Sequence, residues 1–159
     1  MSPEVLNRKA ALMCRYLDDL GKYRGLDYEA FEKAHYTVER LLELLSVTAS
    51  DVIFHLLVQR DEPAPSSYSA AFLRAGEIGL IDADLAGHLS RAAGMRNILV
   101  HGYETADQRL VYENIPNALD IFGKFVKRLE RLIADEQRKT KTETQAEQNE
   151  KLDEEIRSN

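Results

Sequence analysis

The chain has 159 residues with 44% hydrophobic side chains, enough for one domain with its own core. Its formal charge of −6 argues against a general nucleic-acid binder. A lone cysteine, Cys14, excludes an intrachain disulfide and fits a reducing compartment, and no Cys/His group has zinc spacing.

Two further bulk features matter. No apolar run of membrane-spanning length and no signal peptide is evident, so a cytoplasmic chain without membrane contact is expected. Charge is also uneven. From Asp135 onward there are five basic and eight acidic residues, so half of the net charge sits at the C-terminal end and a local basic cleft is left room elsewhere.

Ser2, Pro3 and Glu4 have the order of an N-cap, a first-turn proline and an acid matched to the helix dipole. Leu6, Ala10, Met13, Leu17 and Leu20 then step by four and three, the spacing of a helix with one buried stripe. Cys14 lies among Leu12, Met13, Tyr16 and Leu17, where an inert thiol is expected. Gly21 and Gly25 close this helix.

Asp27 caps a second helix. Phe31, Ala34, Val38, Leu41, Leu42, Leu45, Val52 and Leu56 form its first stripe. Leu44, Val47, Asp51 and Val58 form a second on the opposite side. A helix apolar on two faces is sandwiched in a core or used for association. Asp51 is either a surface acid paired nearby or an acid facing the cationic cluster described below.

The stretch Arg60–Ser67, with two prolines and two serines, is an extended loop ending in a cap. A short helix follows with Tyr68, Phe72 and Ala75 inward. Gly76 and Gly79 are expected to end it, with Leu80 and Ile81 tucked under the turn.

Asp82 caps the fourth helix. With Leu85 at zero and about 100° per residue, Leu89, Ala92, Ala93, Leu99 and Val100 share its apolar stripe. Arg96 falls inside that stripe, at about 20°. A cation there needs a partner or a solvent cleft, because an unpaired buried charge costs several kcal/mol. Asn97 and His101 are one turn apart, and Gly102 is expected to end the helix. One helix end thus gathers Arg96, Asn97, His101 and Tyr103. His88 and Arg91 lie outside the stripe, where they are solvated or line an approach to the cluster.

A polar link precedes Leu110, Val111 and Tyr112. Pro116 should kink this segment or start a new helix near Asn114. Leu119, Phe122, Val126, Leu129 and Ile133 then recur at helical spacing. Past Arg138 the apolar content collapses. The expected organisation is a helical domain over 1–137 and a polar segment over 138–159, either mobile or a frayed extension of the last helix. No segment alternates with period two. The fold class is all-α, an antiparallel bundle of about five helices.

The order of these elements, with Arg96, Asn97, His101 and Tyr103, resembles the HEPN superfamily and within it the HepT-like toxins. The superfamily signature is an arginine followed after four to six residues by histidine; the HepT-like form adds tyrosine two residues later. The segments "VTASDVIFHLL", "SYSAAFLRAGEIGLI" and "LAGHLSRAAGMRNILVHGY" are similar to the family's second to fourth helices. The likeness spans about Leu6 to Ile133. The departures are Pro116 and the polar C-terminal segment.

The resemblance implies a homodimer with both signatures in one cleft, and metal-independent endoribonuclease activity with no cofactor. It also implies the toxin part of a type VII-like toxin–antitoxin system. The implied partners are RNA, not DNA, and an MntA-like nucleotidyltransferase antitoxin that transfers AMP to Tyr103. Arg96 and His101 would be catalytic, with Asn97 and Asp51 in support. The alternative is a non-catalytic HEPN dimer serving as a platform for the nucleotidyltransferase. The residues alone also allow Arg96 as a structural partner of Asp51, His101 as a helix-end histidine and Tyr103 as a core aromatic.

Overall fold

The structure is a computed structural model; its described residues are 2–101 and 108–157, without the side chains at 95–101, 140, 147 and 151–156. Among them are five helices and no strand: α1 (Pro3–Gly21), α2 (Tyr28–Val58), α3 (Tyr68–Glu77), α4 (Ala83–His101) and α5 (Gln108–Arg157). The helix starts follow from capping chemistry. Ser2, Asp27 and Ser67 each accept a hydrogen bond from a first-turn backbone N–H, and Asp82 Oδ1 accepts from Asp84 N and Leu85 N.

The short links make sequence neighbours antiparallel. Lys9 on α1 reaches Asp51 far along α2, and Ser69 at the start of α3 meets Ser90 midway along α4. The long helices α2 and α5 run in the same direction. At one end Tyr112 Oη donates to Leu26 O at 2.7 Å; at the other Arg60 pairs with Glu136 at 3.7 Å. Tyr28, Phe31 and Tyr112 pack ring against ring, with centroids 5.3–5.8 Å apart. Phe72 of α3 meets Phe125 of α5 edge-on, and both are fully buried. Each such ring contributes roughly 1.5–3 kcal/mol through burial, so α3 is pinned to the bundle despite its ten residues.

Three sequence expectations are corrected. First, α2 does contain an 18-residue stretch of mean hydropathy 1.8, apolar and long enough to cross a membrane by composition. Its cause is the double stripe: 56% of that stretch is buried against the other helices, as in a core helix. Second, no new helix starts near Asn114, because α5 continues through Pro116. The ring is solvent-exposed and leaves α5 without one backbone donor at that turn. Third, α3 continues through Gly76 to Glu77, and the turn is made at Gly79, where φ is +70°. Gly76 serves a close approach instead. A Cβ built there would lie 2.6 Å from Cβ of Ala86 on α4.

α5 runs as helix to Arg157, and from residue 137 onward every described side chain is exposed. The core therefore closes near Ile133, which is 3% exposed. Cys14 is half-buried, and burial pushes its thiol above the ordinary range, helped by Glu130 and Asp18. Such a thiol is a poor nucleophile at neutral pH.

Candidate functional site

α4 is positioned from three sides. Leu85, Leu89 and Ala93 are buried in the core, as the apolar stripe requires. Ala86 sits against Gly76 and Ser90 bonds to Ser69, which fixes α4 against α3. Arg128 Nε of α5 donates to Leu80 O at 2.8 Å and anchors the turn that launches α4. The helix held in this way carries Arg96, Asn97 and His101 on its final turns, and His101 is its last residue. The side chains of these three lie outside the described residues, and so does Tyr103 altogether.

Up to Gly94 the surroundings are described. A groove of about 620 Å³ opens where α2, α4 and α5 meet, just before the final turns of α4. Leu42, Ala92, Val111, Ile121 and Phe122 make its apolar floor, while Glu43, Asn114 and Asn117 add polar groups. His88 and Arg91 line it from α4. Arg91 Nη2 lies 2.9 Å from His88 Nδ1, which suits a neutral imidazole accepting from the guanidinium. Both residues are exposed and line this groove from the α4 side.

Asp51 lies on a different surface. Its carboxylate is 3.4 Å from Lys9 Nζ, with the two side chains 45% and 26% exposed. Around the pair, Phe54, His55, Val58 and Tyr68 line an open hollow of about 520 Å³. Asp51 therefore has a partner from α1, forty-two residues away in sequence. Among the described residues, no group of three or more His, Cys, Asp or Glu is placed to hold a metal ion.

Sequence reasoning overlooked the polar side of α5. Asn114 and Asn117 line the groove, and Lys124, Lys127, Arg128 and Arg131 line a second one beside it. Their spacing of three and four placed the cations on one helical face. What the spacing lacked was the neighbour, the N-terminal half of α4.

Comparison with known proteins gives this geometry its context. Residues 13–129 match the family model described as "Ribonuclease HepT-like", a span that includes α4 entire. A tRNA nuclease HepT from Aphanizomenon flos-aquae is 28% identical over 132 residues, covering 81% of this chain and 90% of that protein. In structure, the chain is similar to the tri-AMPylated HEPN toxin of Shewanella oneidensis, solved in complex with its MNT antitoxin. The TM-score is 0.74 at 22% identity, over 82% of this chain and 99% of that one. The cytosolic protein YutE of Bacillus subtilis shares the fold with a TM-score of 0.73 at 16% identity, over 86% and 93% of the two chains. With the family pattern extending over most of the bundle and across the helix that bears Arg96 and His101, the chain belongs to the HepT-like ribonuclease family.

Proposed function

We propose that this protein is a toxin endoribonuclease whose catalytic groups are Arg96 and His101. The observation that carries this is the family match across α4, with the Arg96–His101 spacing on the final turns of that helix. RNA supplies its own nucleophile. His101, with an ordinary pKa of about 6.5, takes the 2′-hydroxyl proton. The 2′-oxygen bonds to phosphorus, the bond from phosphorus to the 5′-oxygen breaks, and that oxygen leaves with a proton. The products are a cyclic 2′,3′-phosphate and a 5′-hydroxyl. Arg96 stays charged and offers a planar fork to the phosphate oxygens as charge builds on them. Asn97 holds a phosphate oxygen or fixes the imidazole. This route needs no metal. One protomer supplies one histidine, so the base and the acid come from two protomers sharing a cleft.

Tyr103, two residues beyond His101, gives the same site an off-switch. AMP transferred from ATP to its phenol by a nucleotidyltransferase antitoxin adds bulk and negative charge beside the histidine, which repels an RNA backbone. The tri-AMPylated state of the similar Shewanella toxin supports this arm.

The test is incubation of the purified chain with tRNA in EDTA, wild type against His101→Ala and Tyr103→Phe. Wild type and Tyr103→Phe should release cyclic-phosphate ends, His101→Ala at least about a hundredfold more slowly. A nucleotidyltransferase with ATP should silence wild type but not Tyr103→Phe. Equal cleavage by His101→Ala removes the proposed chemistry. No cleavage by any of them, with nucleotidyltransferase binding intact, turns the protein into a binding platform.

A further inference from the structure

The N-terminal half of α4 and the middle of α5 enclose a second groove, of about 550 Å³, which shares His88, Asn117 and Ile121 with the apolar one. The two form a continuous path along α4. His88 lies thirteen residues before His101, a rise of about 20 Å along the helix. The described lining of this path on α4 runs from Asp84 to Gly94, a rise of about 15 Å, and leads along the helix toward His101.

The charges in the second groove divide into those already engaged and those that are not. Asp82 is used as the cap of α4, accepting from Asp84 N and Leu85 N at 2.9 and 3.3 Å. Asp84 sits in the first turn of α4, where the helix dipole compensates it. Asp120 pairs with Lys124 at 2.8 Å, and Arg128 is bound to the Leu80 carbonyl. Lys127 and Arg131 remain. Both are exposed, four residues apart on one face, and neither has an ion-pair partner among the described residues. In a chain of net charge −6, two cations without an ion-pair partner, aligned in a groove that continues toward the end of α4, offer a place to an anionic ligand.

We propose that this groove is a phosphate-backbone track for RNA, in which Lys127 and Arg131 hold the strand on one side of the cleavage point. The proposal rests on the ribonuclease reading and adds the surface that positions the substrate. The apolar walls of the adjoining groove suit the faces of unstacked bases, so a single-stranded or frayed RNA end fits this path better than a regular duplex.

The test measures binding of labelled tRNA, over a series of salt concentrations, to the full chain carrying His101→Ala so that the RNA stays intact. Adding Lys127→Glu and Arg131→Glu should weaken binding at low salt by about tenfold or more. It should also flatten the slope of log affinity against log salt by about 1.4 to 1.8, the loss of two phosphate contacts. Lys127→Ala with Arg131→Ala should move both quantities in the same direction by less. Lys33→Glu is the control: Lys33 pairs with Glu29 on α2, outside either groove, and should leave binding within about twofold. Unchanged affinity and slope in the reversed variant overturn the track. So does normal RNA binding with loss of an acidic protein partner, which would make the surface a protein dock. Otherwise wild-type protein that cuts nothing, while the reversed variant still loses RNA binding, sinks the ribonuclease reading and leaves the track standing.

Discussion

Asp51 and Lys9 show what partial exposure does to an ion pair. At 3.4 Å, with side chains 45% and 26% exposed, the pair gains little over hydration in water, and the long lysine loses rotamer freedom to make it. Asp51→Asn should therefore cost less than about 1 kcal/mol, and Lys9→Met about the same. Denaturant unfolding of the two single variants and the double one gives the coupling directly. Cleavage should fall equally, if at all, in both single variants. A loss confined to Asp51→Asn would assign the carboxylate to the chemistry. Sequence spacing put Asp51 on the second stripe of α2 and left open a nearby partner or the cationic cluster, because which helix covers that stripe is a matter of topology. The partner proved to be α1. Arg74 follows the opposite logic. Hydrogen bonds that its guanidinium donates to Glu62 and Glu77 hold it charged still more firmly than usual and tie the proline-containing loop to α3.

At the scale of elements, the pairing of α3 with α4 sets where the end of α4 points. Gly76 lets the two backbones approach, and Ser69 and Ser90 bond further along the same contact. In Gly76→Ala the new Cβ would meet Cβ of Ala86 at 2.6 Å, with no flexible side chain to yield. The helices must move apart, at an expected cost of about 1–3 kcal/mol. Ala86→Gly in the same chain should recover part of that, less about 1 kcal/mol for a glycine inside a helix. Thermal unfolding of the single and double variants reads both effects; no loss in Gly76→Ala would show that α3 and α4 can part at no cost. This contact was not legible in the sequence, where a glycine near a helix end has the usual place of a terminator. Caps and stripes were legible: Ser2, Asp27, Ser67 and Asp82 open helices as their side chains dictate, and Leu85, Leu89 and Ala93 are buried as their spacing requires. Local chemistry decides those features, whereas Gly76, the Lys9–Asp51 pair and the cations of α5 acquire meaning only from the helix opposite.

The largest scale is the assembly that the proposed chemistry calls for. A single bundle holds one Arg96 and one His101, while proton removal and proton donation call for two groups. A closed two-fold dimer brings two copies of one surface together, so two α4 ends in one cleft would hold two guanidinium groups and two imidazoles. This arrangement differs from two independent sites in a way that mixing can detect. His101→Ala should be inactive as a homodimer. If subunits exchange freely, about half of the dimers in an equal mixture of wild type and His101→Ala carry one chain of each kind. In a shared cleft those mixed dimers hold one imidazole where two are needed, and their RNA cleavage should fall at least about tenfold below wild type. In independent sites the wild-type protomer keeps all of its groups, and the mixed dimer should cleave at about half the wild-type rate. Co-expression with two different affinity tags and tandem purification isolates the mixed dimer, so failure to exchange cannot mimic either result. A loss of that size in the mixed dimer would require that residues from two chains act on one phosphodiester; half activity would confine the chemistry to a single bundle and leave the dimer without a catalytic part.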